Sequence, residues 1–239
     1  MDQIWPEPIS DVEPSLAYEH DRSKKFLRID MVTSIDGAFT IDGRAKGLSG
    51  SPDRRVFNAM RSLADVILVG ANTARIENYK PVNFDESVQA VRKGRGQEAL
   101  APIALCSRSL DFDFTSPLFV EAKEKTIIFT TSSSADKGKK HNDVAEIISC
   151  GEDDVDLNQA VNTLIQRGLT SILCEGGPKL NADLLKEDLV DELCLSISPQ
   201  IVQGDDPSIF NGPVLSTPAS SVPTHIFKEE DFIFLRLAL

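Results

Sequence analysis

The chain has 239 residues, with 25 Lys+Arg against 37 Asp+Glu and a formal net charge of −12 at pH 7. Its 41% hydrophobic and 26% charged residues are those of an ordinary globular protein, which excludes disordered, collagen-like and coiled-coil chains. The acidic balance argues against nucleic acid or an anionic membrane as partner, because both need a cationic face, yet a few local donors suffice to hold an anionic cofactor.

Residues 1–25 carry Pro6, Pro8 and Pro14 among charges and read as an N-terminal arm or loose cap, with residues 26–239 as a single domain. The first residues lack the basic region and apolar core of a signal peptide, and no apolar run approaches the ~20 residues of a membrane span. Cys106, Cys150, Cys174 and Cys194 form no CxxC pair, and His20, His141 and His225 complete no zinc spacing, so no metal is expected. Thiols placed mostly in apolar runs suit a reducing compartment, and a cytoplasmic location is the expectation.

In chain order, Phe26–Val32 reads as a strand, Ser34–Gly37 as a turn, and 40–50 as a glycine-spaced loop. Ser51-Pro52-Asp53 is expected to start a helix, with Ser51 as N-cap, and Val56, Phe57, Met60 and Leu63 form its apolar stripe. Val66–Val69 is an uninterrupted apolar run suited to a strand covered on both faces, and Gly70–Thr73 opens a second helix. The polar stretch 83–100 is expected to be a mobile loop. Strands follow at 102–106, 126–129 and 145–148, a helix at 157–167, a strand at 171–174, and a helix through Leu180, Leu184 and Leu185. Two long strands, Glu192–Val202 and Thr224–Leu237, are expected around a Gly/Pro-rich connection at 203–223. This alternation predicts an α/β fold, a mainly parallel sheet with helices on both faces and antiparallel C-terminal strands.

Ligands of such sheets lie where strands end and helices begin. VILVGANT (66–73), ALCSRS (104–109) and ILCEGGPKLNADLL (172–185) are three unusual junctions of this kind. A glycine pair before free helix N–H groups suits a pyrophosphate, although a tight turn has the same composition. Likewise Ser-Arg-Ser also fits a solvated loop, and Gly70 also fits close packing of helix on strand. The GxGxxG dinucleotide fingerprint is absent, which disfavours a regular Rossmann site.

SIDG at 34–37, SPDRRVFNAMRSLADVILVGANT at 51–73, EGGPKLNADLL at 175–185 and LVDELCLSISPQIVQG at 189–204 together resemble the pyrimidine reductases of riboflavin biosynthesis. The chain is most similar to the reductase half of the bacterial bifunctional deaminase–reductase, whose fold is that of dihydrofolate reductase. Neither HxE nor PCxxC of the deaminase half is present, so a stand-alone reductase is expected. The resemblance implies NADPH-dependent reduction of a ribosylamino-pyrimidine to a ribitylamino-pyrimidine, of the 5-amino-6-(5-phosphoribosylamino)uracil reductase type, by a homodimer. Reduction of a pterin- or dihydrofolate-like heterocycle, or a non-catalytic nucleotide-binding role, are the alternatives.

On the cofactor side it implies Gly70, Thr73 and Glu77, then Ser107, with Arg108 beside it for a 2′-phosphate, then Gly176, Gly177, Pro178, Lys179, Leu180 and Asn181, with a cis Gly176–Gly177 peptide. On the substrate side it implies Ser34, Asp36, Arg61 and Glu175. Lys46 or Arg44, in the following loop, is the expected substitute for the basic residue that such reductases carry where this chain has Ala38. Glu175 and Asp53 are the candidate catalytic carboxyls, Asp53 being equally readable as a helix-start charge and Arg61 as a solvated helix residue.

Overall fold

The run Val66–Val69 has no exposed face: all its side chains are buried in the computed structural model, which describes residues 1–204 and 208–239. Val66 and Leu68 pack on one side with Leu27, Ile29, Leu164 and Leu184, and Ile67 and Val69 on the other with Val56, Met60 and Leu63. Each fully buried aliphatic side chain of this kind contributes ~1.5–3 kcal/mol.

That two-sided core surrounds a ten-stranded sheet. Its strands are β1 (Asp2–Trp5), β2 (Phe26–Ser34), β3 (Val66–Gly70), β4 (Ile103–Cys106), β5 (Thr126–Thr130), β6 (Ala145–Ser149), β7 (Ser171–Cys174), β8 (Glu192–Ser198), β9 (Val222–Glu229) and β10 (Phe232–Ala238). The helices are α1 (Pro14–Ala17), α2 (Ser51–Leu63), α3 (Ala71–Ile76), α4 (Glu86–Gly94), α5 (Pro117–Val120), α6 (Ser132–Gly138), α7 (Leu157–Gln166) and α8 (Pro178–Lys186). The spatial order is β1-β9-β10-β8-β2-β7-β3-β4-β5-β6, parallel from β8 to β6 and antiparallel through β10, β9 and β1. This is the expected α/β class.

Four local expectations are corrected. Gly50, not Ser51, is the N-cap of α2, so Ser51 and Pro52 begin the helix and Asp53 sits in its first turn. The stretch 83–100 is not a loop throughout, because Asp85 caps α4 by accepting the Val88 N–H at 2.9 Å. The buried side chain of α4 is a charged one, Arg92, which donates to the Ser62 and Ala64 carbonyls at 2.9 and 2.7 Å. No row of aliphatic side chains is buried along α4, in contrast to α2 with Val56, Met60 and Leu63. Thr224–Leu237 is a hairpin rather than one strand, turning at Glu230–Asp231 with Glu230 at φ 52°. Of the connection expected at 203–223, residues 205–207 lie outside the described residues.

Finally, the segment expected as an arm or loose cap is laid along the sheet. β1 pairs with β9, and Met1 and Tyr18 are buried in the core. His20 in the same segment stacks on Phe26 at 4.4 Å, and neither ring nitrogen has a partner among the described residues. Burial, reinforced by the Arg28 and Arg22 charges, pulls its pKa down to about 4. An unfolded histidine titrates near ~6.5, so between that pH and about 4 the unfolded chain binds more protons. Stability is therefore expected to be full above that window and to fall as pH drops through it. Thermal melts of wild type and His20→Phe from neutral pH to pH about 4 check this: the variant keeps the stack and flattens the fall.

Candidate active site

Three strand ends open into one cleft of about 780 Å³, with Gly70 at the end of β3, Ser107 after β4 and Gly177 before α8 along its wall. The three junctions singled out in the sequence thus meet in space. Gly176 adopts φ +78°, a left-handed conformation that favours glycine, and its carbonyl accepts the Gly70 N–H at 2.7 Å. The Gly176–Gly177 peptide is cis. A Cβ on Gly177 would lie 2.3 Å from Thr73 Oγ1, so only glycine lets these two turns close on each other.

Neither Gly70, the N-cap of α3, nor Gly177, the N-cap of α8, provides a side-chain cap. With Pro178 at the first position of α8, the N–H groups of Lys179 and Leu180 are left for an anion, and both residues line the cleft. Ser107 is buried and held by its neighbours: its N–H donates to the Phe129 carbonyl and its Oγ accepts the Leu110 N–H. Arg108 is exposed beside it and enters no ion pair among the described residues. Uncapped helix starts, a hydroxyl and an uncommitted guanidinium fit a phosphorylated dinucleotide.

Asn181 does not reach this cleft. It is buried, its amide donates to the Ile209 carbonyl at 2.9 Å and its Oδ1 faces Cys174 Sγ. Glu77 lies elsewhere too, its carboxylate accepting the Ala45 N–H at 2.8 Å on the wall of a second cleft.

That second cleft, of about 680 Å³, shares Asn72, Thr73, Gly177 and Pro178 with the first. Its centre is an ion pair buried between elements. Arg61 from α2 donates through Nε and Nη2 to both Glu175 oxygens, each at 2.7 Å. Tyr79 donates its hydroxyl to Glu175 Oε2, also at 2.7 Å. The guanidinium lies 4.3 Å from the Phe57 ring centroid and 5.7 Å from that of Tyr79. Burial alone would lower the Arg61 pKa, but the charge and hydrogen bonds of Glu175 reverse this and raise it. Burial, then the Glu175 charge, raises that of the Tyr79 phenol. The Glu175 carboxylate thus accepts three hydrogen bonds.

Asp53 is 8% exposed and lines the same cleft, as does exposed Lys46 at the rim. Ser34 and Asp36, expected on the substrate side, do not line it. Ser34 Oγ donates to Asp36 at 2.5 Å, and the Asp36 carboxylate accepts N–H groups of Val202 and Gln203. The Ser34 hydroxyl first, then those N–H groups, hold the Asp36 pKa down at about 2. The pair fastens a turn to the segment after β8. Sequence reasoning passed over Tyr79, Phe57 and Asp30, all of which line this cleft. Asp30 left one signal, a charge inside the apolar run FLRIDMV.

A protein of Archaeoglobus fulgidus named 2,5-diamino-6-ribosylamino-4(3H)-pyrimidinone 5′-phosphate reductase is 22% identical over 191 residues, 79% of this chain and 87% of the relative. One of the same name from Aquifex aeolicus is 27% identical over 198 residues, 79% of this chain and 84% of the relative. Among solved structures, a pyrimidine reductase-like protein of Corynebacterium diphtheriae superposes with TM-score 0.85 at 28% identity, covering 95% of this chain and 98% of that one. Residues 25–227 match the RibD C-terminal domain, and the chain belongs to that family.

Proposed function

We propose that the protein is an NADPH-dependent reductase that converts a phosphorylated ribosylamino-pyrimidine to its ribitylamino form. The observation that carries this reading is the meeting of an anion-binding cleft and a polar, aromatic-walled cleft at Thr73 and Gly177. The names of the relatives supply the substrate class. Gly70, Thr73, Ser107, Arg108, Gly177, Pro178, Lys179 and Leu180 would hold the dinucleotide, which when bound supplies a hydride.

The chain's own residues do the rest. The α8 N-terminus would hold the pyrophosphate, and Arg108 would pair with the 2′-phosphate. Glu175 locks Arg61 against Phe57, so that a rigid cation faces the substrate. Phe57 and Tyr79 exclude water from one wall. A second copy of the chain is proposed as partner through β10, whose outward Ile233 is 40% exposed, and a cytoplasmic location suits such chemistry.

The test is a steady-state assay of NADPH oxidation with the ribosylaminopyrimidine phosphate and, in parallel, with dihydrofolate. Turnover is expected with the first alone, and turnover only with dihydrofolate overturns the substrate assignment. In the same assay NADPH is expected to outperform NADH in kcat/KM, and Arg108→Ala to remove most of that preference, the ~1.5–3 kcal/mol of a charge-assisted contact. Equal use of both dinucleotides by the wild type contradicts the role of Arg108.

A further inference from the structure

Reduction of a C=N bond takes up a proton along with a hydride, so the substrate cleft must hold a proton donor. Glu175 is poorly placed for that task, since both its oxygens are already engaged by Arg61 and by the Tyr79 hydroxyl, which spends its own proton there. Lys46 stands exposed at the rim. Besides Glu77, whose carboxylate is tied to the Ala45 N–H, two further carboxyls line the cleft, Asp30 from β2 and Asp53 from the first turn of α2. Neither side chain takes part in a hydrogen bond or ion pair among the described residues, although Asp53 is only 8% exposed.

Resting on the reductase reading, we propose that Asp30 donates the substrate-side proton of the reduction, with Asp53 as the charged neighbour that keeps this proton in place. Alternation along β2 puts Leu27 and Ile29 into the core under α7 and α8, and so turns Arg28 and Asp30 to the opposite face, towards α2. There the cations that would neutralise Asp30 are already committed. Arg28 on its own strand is paired to Glu192 at 2.5 Å, and Arg61 on α2 to Glu175. The other groups facing it are Asp53 on α2, Glu175 after β7, Tyr18 beside α1 and Cys194 on β8, none of them a cation, while Arg54 and Lys80, which also line the cleft, are exposed.

Burial, followed by the Asp53 and Glu175 charges, raises the Asp30 pKa well above the usual carboxylate range. Asp30 is thereby biased towards holding its proton.

The step balances. The substrate's C1′ accepts the hydride of the reduced nicotinamide, the C=N π pair moves to nitrogen, and that nitrogen takes the proton from Asp30. Carbon is reduced, the nicotinamide is oxidised, and the Asp30 carboxylate is reprotonated from water. Activity should accordingly fall as pH rises through the pKa of this acid.

Asp30→Asn, which keeps the shape and removes the proton, tests this by three readouts. Turnover is expected to fall ~10²–10⁴-fold with loss of the alkaline limb of the kcat/KM profile. Calorimetric NADPH affinity should stay nearly unchanged, which shows the fold intact. Infrared spectra of the unliganded protein at neutral pH should contain a protonated-carboxyl stretch that Asp30→Asn removes. Asp53→Asn, by deleting the neighbouring charge, should shift the alkaline limb to lower pH. An active wild type whose Asp30→Asn variant keeps its rate and pH profile overturns the assignment, as does a neutral-pH spectrum without that stretch. A wild type that binds NADPH but reduces no ribosylaminopyrimidine fails at the earlier step, the reading of the function, and takes the donor role with it.

Discussion

Glu175→Ala is expected to lower stability by about 3–5 kcal/mol, because it leaves the Arg61 guanidinium buried without its counter-ion. In a chain of this size that is a fall in Tm of about 6–20 °C. The side chain of Glu175 is 3% exposed and that of Arg61 19%, so water compensates little. The loss concerns an existing pair rather than its net worth against an apolar substitute, which is why the expected figure is large. Glu175→Gln separates stability from chemistry. Its amide oxygen still accepts one Arg61 bond while its NH₂ opposes the other, so Arg61 is displaced without being orphaned. Turnover with the pyrimidine is expected to drop ~10²-fold, the scale of a mispositioned group, while NADPH affinity holds. Melting curves, calorimetry and steady-state rates of the two variants check this. A Gln variant with wild-type turnover removes Glu175 from the site.

Gly177→Ala is expected to weaken NADPH binding by the ~1–3 kcal/mol of an overpacked contact, roughly 5–150-fold. The backbone at Gly177 has φ −81°, which alanine adopts freely, so the obstacle is the added methyl alone. It would lie 2.3 Å from Thr73 Oγ1, while the next atom, Thr73 Cβ, is at an ordinary 3.7 Å. Thr73→Ala removes the obstructing oxygen at the cost of one cofactor contact. The double variant should therefore bind NADPH better than Gly177→Ala does, a non-additivity of ~1 kcal/mol or more measurable by calorimetry. Strict additivity contradicts the close approach of the two turns.

How much of this was legible in the sequence depends on which residues carried the burial. Val66–Val69 announced a two-sided strand, and each of the three ligand junctions followed such a strand end with glycine or serine, two of them opening a helix. Glu175 stood out because a carboxylate between a buried strand and a glycine pair has no structural use on its own. Arg61, by contrast, entered only through the family resemblance, since nothing at that helix position shows that its partner lies 114 residues away. The helix α4 was hidden because Arg92, not an aliphatic stripe, is its buried element. The β9–β10 hairpin was hidden because Glu230 takes the left-handed conformation without the glycine or asparagine that usually marks it. Asp30 was visible as a charge in an apolar strand, but the face it uses is fixed by β7 and β8 on either side and the cover of α2, which are tertiary facts.

The central claim is that dinucleotide and substrate meet across Thr73 and Gly177, and isotope transfer tests it most directly. The protein is incubated with the ribosylaminopyrimidine phosphate and NADPH deuterated at the nicotinamide C4, one face at a time, and the product is read by mass spectrometry and NMR. The account predicts a ribitylamino product carrying the deuterium at C1′, from one face of the nicotinamide only. Product without the label, or NADPH consumed while the pyrimidine stays unreduced, contradicts it.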